Sequence, residues 1–220
     1  MSAVTEIVQF NPKKDLNFDD AAHRLTRTIA QQSGVTRVRY ARRHEDPLKG
    51  AIFIDWRALS DHKAFMEKEY YGPFLEVVRH LVDGPLSIYH VPFHPHPPTV
   101  LDNLDGRGRS KVAEVVHAYF PLSITSVQQQ EILADVQQFI DQINPKGASG
   151  EHAHGFALED VEFKGEKCRA LVLVLGWDSV EAHHAYRQTE DFAKNIPLLR
   201  NLPGLKGMEM WHVMNRETKV

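Results

Sequence analysis

Thirteen histidines among 220 residues supply most of the chemistry that can be read in this chain, because imidazole is the side chain whose proton affinity lies nearest neutral pH. His117 sits in the apolar run VAEVVHAYF, with Val116 and Tyr119 close by. His154 shares one face of a strand with His152, Phe156 and Leu158 if the alternation of GEHAHGFAL holds. His183 falls in the first turns of a helix, where the positive end of the helix dipole favours the neutral ring. A general acid or base is therefore expected at His117 or His154, with His183 polarising or orienting a carbonyl. Phe156, Trp177, Tyr186, Trp211 and His212 are expected to line an apolar wall that folds a hydrophobic small molecule into a reactive shape.

A structural role competes at several of these positions. His152 and His154 could lie at a strand edge facing water, and His62 and His183 could pack on a tryptophan to fix a strand-to-helix turn. His90 and His212 could serve as packing contacts between two halves of the chain. Glu6 and Glu114 are expected to be strand-end surface groups rather than bases, and His94 and His96, set among prolines, to lie in a solvated loop.

Other chemistries find little support. The sequence contains no serine-nucleophile elbow, phosphate-binding loop, dinucleotide glycine pattern or Cys/His zinc spacing. The His-x-His pair of GEHAHG offers only two ligands, so no metal is expected. Cys168, the single cysteine, reads as a buried thiol at the start of an apolar strand. A net charge of −3 provides no basic field for nucleic acid or anionic membrane. No run of about 18 apolar residues is present, and MSAVTEIVQF lacks the pattern of a secretion signal, so a cytoplasmic location is expected.

The elements that must position these groups occur twice. AIFIDWRALSDHKAFMEKEYYGPF (51–74) and LVLVLGWDSVEAHHAYRQTEDF (171–192) each run a hydrophobic strand into Trp, then Ser, then a helix carrying His six residues after the Trp. LSIYHVPF (86–93) and MEMWHVMN (208–215) close each unit on an aromatic-His-Val strand. Trp56 thus matches Trp177, His62 matches His183, and Tyr89-His90 matches Trp211-His212, in one order. Alternation and capping signals predict β-α-β-β-α-β in both units. Asn17 or Asp19 would cap the first helix, and Ser126 with Gln129 would open a capping box in the second unit. In VTRVRYARR, Val38 and Tyr40 alternate with Arg37 and Arg39, the period of a half-buried strand.

These boundaries give an N-terminal repeat at 1–93, a Pro/Gly/Asp-rich linker at 94–110 and a C-terminal repeat at 111–220 holding the active pocket. The second copy is longer, with the added length expected around 144–167. The architecture is α+β, two tandem ferredoxin-like repeats whose open sheet faces can cover one another.

The Trp-Ser-His turn (Trp56, Ser60, His62; Trp177, Ser179, His183), together with this element order, resembles the dimeric α/β-barrel superfamily. That group holds antibiotic-biosynthesis monooxygenases, stress-responsive barrel proteins and polyketide cyclases, and the tandem form resembles natural-product barrel proteins of filamentous fungi. The resemblance implies a small-molecule pocket between sheet and helices, often working without metal or organic cofactor. In haem-binding branches, His212 or His183 would be the candidate axial ligand. The expected activity is a cofactor-independent cyclase, isomerase or lyase acting on a polyketide-like or terpenoid-like intermediate. The alternatives are a cofactor-free oxygenase of a phenol or anthrone, and a non-catalytic binding or stress-response barrel. A homo-oligomer is compatible with the fold, although internal pairing of the two sheets could make a monomer suffice.

Overall fold

Each half of the chain builds one antiparallel sheet with its helices on a single face. The computed structural model describes residues 2–143 and 145–220; Asn144, within the stretch expected to carry added length, lies outside the described residues. The first repeat comprises β1 (Val4–Pro12), α1 (Phe18–Ala30), β2 (Val35–Arg42), β3 (Gly50–Trp56), α2 (Leu59–Met66), α3 (Tyr71–Leu81) and β4 (Val82–Val91). The second comprises β5 (Val112–Phe120), α4 (Ser126–Gln142), β6 (Ala148–Phe156), β7 (Val161–Phe163), β8 (Glu166–Trp177), α5 (Val180–Tyr186), α6 (Glu190–Asn195), α7 (Pro197–Arg200) and β9 (Gly207–Val213). Strand order is β2-β3-β1-β4 in one sheet and β6-β8-β5-β9 in the other, the ferredoxin-like arrangement in both. A last strand, β10 (Arg216–Thr218), leaves the second repeat and pairs with β2 of the first.

The local signals act largely where they occur. The Asn17 side chain accepts from the amides of Asp19 and Asp20 and caps α1. The capping box of α4 is set one residue earlier than expected, on Thr125 and Gln128 instead of Ser126 and Gln129. The helix expected from Ser179 in the second unit is three short pieces, and Pro197 opens the last of them because it has no amide hydrogen to continue the preceding turn.

Every central strand has two buried faces. On one, Val8, Ile52 and Ile54 pack against Leu25 and Ile29 of α1, and Val116, Leu171 and Leu173 pack against Ile132 and Val136 of α4. On the other, the sheets meet: Ile7, Phe53, Tyr89 and Val91 share one core with Val115, Val172, Val174 and Trp211, and Cys168 is buried there. The seams close through single bridges that join Arg43 to Val213 and His94 to His154. One chain therefore forms a pseudo-dimeric α/β barrel.

This face-to-face packing changes the expected environment of β2. Arg39, on the strand face read as half-exposed, has no exposed side-chain surface. Its Nη2 donates to Asp55 Oδ2 at 2.9 Å and its Nε to Asp102 Oδ1 at 2.6 Å, while Thr5 donates to Asp55 Oδ1 at 2.7 Å. Asp102 belongs to segment 94–110, which joins the repeats in sequence but is packed rather than solvated. Val100 and Leu101 are fully buried, and Asn103 Nδ2 donates to the Val213 carbonyl at 2.8 Å. The added length of the second copy is likewise divided. α4 has 17 residues against 13 in α1, and the β7–β8 hairpin takes up more.

Candidate functional site

Glu114 sits on β5 with Val116, Ala118 and Phe120, on the face turned to the helices, and is 6% exposed. Its counterpart Glu6 is 4% exposed, so both carboxylates are interior groups, contrary to their expected place at the surface. What makes burial tolerable is a donor: Trp177 Nε1 donates to Glu114 Oε2 at 2.9 Å, and Trp56 Nε1 to Glu6 Oε2 at 2.8 Å. Desolvation outweighs that bond and pushes both carboxyl groups up to about 7.

The matched histidines lie beside these carboxylates. His183 stacks on Trp177 with centroids 4.7 Å apart and brings Nε2 to 3.6 Å from Glu114 Oε1. Its Nδ1 is 2.8 Å from His212 Nε2, and His212 Nδ1 meets Glu45 Oε1, while the His212 amide donates to Glu45 Oε2 at 2.8 Å. The first repeat builds the same chain: His62 Nδ1 to His90 Nε2 at 2.7 Å, His90 Nδ1 to Glu159 Oε1 at 2.8 Å, and the His90 amide to Glu159 Oε2 at 2.7 Å. Glu45 follows β2 in the first repeat and serves the second; Glu159 follows β6 in the second and serves the first. Each relay ends on a carboxylate borrowed across the barrel.

This chain of bonds determines where the protons lie. Burial raises the proton affinity of Glu45, but the bonds from His212 outweigh it and hold the carboxyl below its ordinary value, so it accepts. His212 must donate from Nδ1, which leaves Nε2 to accept from His183 Nδ1–H. The lone pair of His183 is then on Nε2, facing Glu114 and the cavity. Burial, with His212, Arg187 and His184 adding to it, pushes His183 down to about 3, so its ring is neutral near pH 7. The two nitrogens at 2.8 Å share a proton; bound to one zinc at about 2.0–2.1 Å they would stand roughly 3.3 Å apart.

The two copies differ in the space beside the relay. In the second repeat a cavity of about 450 Å³ opens against Glu114 and His183, walled by Val116, Phe139, Leu175, Trp177, Met208 and Met210. In the first, about 50 Å³ remains beside Glu6 and His62. There α3 runs unbroken and presents Tyr71, Phe74, Leu75 and Val78 to that space. Asn195 stands where the first copy has Phe74, and its Nδ2 turns to the Asp191 carbonyl at 3.0 Å. The break at Pro197 and the longer α4, which brings Phe139 and Ile143 to the wall, leave the second copy open.

The structure brings His183, Trp177 and Tyr186 to this cavity and sets His212 directly behind His183. It does not bring His117 there. Strand alternation turns His117 into the core between the sheets, where its Nε2 lies 2.5 Å from the Tyr89 hydroxyl and its ring stacks near Trp211. Burial, reinforced by the charge of Arg43, pushes His117 down to about 3. Trp211 lies on that same inner face, under Arg43 at 4.5 Å. His154 and Phe156 do face the helices, but on β6, separated from β5 by β8; Phe156 packs on Phe120, and the His154 backbone closes the seam with His94. Burial and the neighbouring His152 and His94 push His154 down to about 4. Sequence reasoning missed Glu45 and Glu159. Their one signal is position, since both follow the second strand of their repeat.

No family model and no curated protein matches the chain. Solved structures match it over its full length. An anthrone oxidase-like protein shares 18% identity at a TM-score of 0.61, covering 100% of this chain and 96% of that one. A protein of Fusobacterium nucleatum provisionally named a monooxygenase shares 11% at 0.59, covering 97% and 92%. One of Lactobacillus acidophilus, similarly named, shares 8% at 0.58, covering 98% and 94%. These likenesses establish the fold. No helix among the described residues is long and apolar enough to cross a membrane.

Proposed function

We propose that this chain is a cofactor-independent enzyme that removes a proton from a hydrophobic, polyketide-like substrate in the cavity of the second repeat. The observation that carries this reading is the placement of Glu114 and His183 at an apolar cavity of about 450 Å³, large enough for a fused-ring molecule. A carboxyl group poised near 7 and a neutral imidazole with its lone pair inward form one acid/base unit suited to neutral pH. The acid/base role expected of His117 or His154 passes to this pair, and His183 keeps a part in orienting the substrate. Loss of the proton generates an enolate or phenolate that the apolar walls hold in shape for cyclisation or isomerisation.

A second reading follows the same first step. The likeness to an anthrone oxidase-like protein favours oxidation without a cofactor, in which the deprotonated anthrone itself reduces dioxygen. Anthrone and O₂ then give anthraquinone and water. Incubation with anthrone and, separately, with a linear poly-β-ketone, following oxygen uptake and products, distinguishes the two. Oxygen consumption matched to quinone supports the oxidase, and ring closure without it supports the cyclase. Turnover of neither substrate above that of the Glu114→Gln protein would sink both.

Two outcomes are expected from the geometry. Glu45→Gln puts an amide NH₂ against the His212 amide or imidazole donor, breaking the proton order of the relay. It is expected to lower kcat roughly tenfold to a hundredfold, and a Glu159→Gln control in the closed copy should leave kcat near the wild-type value. Val116→Trp fills the cavity from its floor. It should abolish turnover at a modest cost in the thermal melt, since the residue lines the cavity and also packs against Ile132 and Val136 of α4.

A further inference from the structure

The mouth of the cavity is cationic. Arg187, just after α5, and Arg200, at the end of α7, are both exposed, and both line the cavity and the surface groove that continues from it past Phe192, Ile196 and Pro197. The fields of Arg187 and the relay already meet, because this guanidinium helps hold Glu114 below the value that burial alone would set. Of the two acidic residues on the cavity wall, Glu114 is bound to Trp177 and Glu209 accepts from the Tyr119 hydroxyl at 2.8 Å. Among the described residues neither Arg187 nor Arg200 forms an ion pair.

The closed repeat provides an internal control. Counting from the matched tryptophans, Arg187 corresponds to Met66 and Arg200 to Arg79. Met66 carries no charge, and Arg79 is bound by Glu76 on its own helix. At the position of Glu76 the open repeat has Pro197, so the helix break that opens the cavity also deprives Arg200 of its carboxylate partner. Open space and two unpaired guanidinium groups therefore occur together, and the closed copy has neither.

We infer that the second repeat takes an amphipathic anion, with an aromatic or polyketide-like body in the apolar cavity and a carboxylate held at the mouth by Arg187 and Arg200. This rests on the proposed reading of the cavity as a substrate site and adds the chemical class of that substrate. A guanidinium fork matches a carboxylate in two parallel bonds, and a solvent-exposed mouth asks for little desolvation. The anchored carboxylate would also decide which end of the substrate enters and so which carbon meets Glu114.

Fluorescence titration with anthracene-2-carboxylate and with its neutral carboxamide tests this without needing turnover. The native protein should bind the carboxylate roughly tenfold or more tightly than the amide. In the R187Q/R200Q double variant the carboxylate should fall to the affinity of the amide, while the affinity for the amide shifts less than about twofold. The anion site is wrong if the native protein shows no preference, whether both probes bind or neither does, or if the double variant weakens both alike. Failure of the enzymatic reading is seen separately. Arginine-dependent carboxylate binding with no turnover of any candidate keeps the anion site and sinks the acid/base enzyme. Turnover of a neutral substrate with KM unchanged in R187Q/R200Q does the reverse.

Discussion

Glu114→Gln is expected to reduce turnover by about a hundredfold to ten-thousandfold, the range associated with one positioned acid or base, while leaving the fold in place. The amide oxygen can still accept from Trp177 Nε1, so the substitution removes the proton-carrying capacity and little else. His183→Ala should fall in the same range, and the double variant should be scarcely worse than either single one, because the two groups act as one unit. The pH profile gives the sign. Burial raises Glu114 to about 7 and lowers His183 to about 3, so the proton-accepting state of the pair empties as pH falls through 7. kcat/KM should therefore rise with pH to a plateau above roughly pH 8 and lose about tenfold per unit well below 7. The inflection should vanish in Glu114→Gln. An unchanged profile in that variant would remove Glu114 from the mechanism.

Asp55→Ala should cost about 3–5 kcal/mol, the typical result of stripping one partner from a buried ion pair, and lower the melting temperature by roughly 6–20 °C in a chain of this size. Arg39 lies between the sheets with no exposed side-chain surface, and its Nη1 is already without a partner. Removing Asp55 leaves the guanidinium with Asp102 alone and strands the Thr5 hydroxyl. Substituting Arg39→Met together with Asp55→Ala should recover much of the loss by removing the orphaned charge. A melt for Asp55→Ala within 2 °C of wild type, on the scale of a surface substitution, would show that the pair contributes little.

The repeat was legible because aromatic and histidine side chains recur in register, and those matches are the stacked Trp–His pairs of the two relays. The element order followed from strand alternation and helix signals that tertiary packing did not override. Arg39 was misjudged for a physical reason: a charged residue on an alternating strand implies water on that face, whereas the second sheet covers it and Asp55 balances it. Glu6 and Glu114 misled in the same way, although each holds the same place in the first strand of its repeat as the tryptophans do in the third. Glu45 and Glu159 lie in connections without periodicity and act on the opposite repeat, so no local pattern could assign them. The open cavity was least legible, because it depends on which side chain fills a space, Phe74 in one copy and none in the other.

The exchange of Glu45 and Glu159 across the barrel bears on how the halves can diverge. A duplicated unit with a self-contained site could lose one copy to mutation without affecting the other. Here the first repeat must keep its β2–β3 connection intact even though its own cavity is shut, because the neighbouring histidine pair terminates there. The shut half thus completes the hydrogen-bonded chain of the open one. The molecule keeps the symmetry of a dimer in its two relays and gives it up in the cavities beside them, one open and one closed.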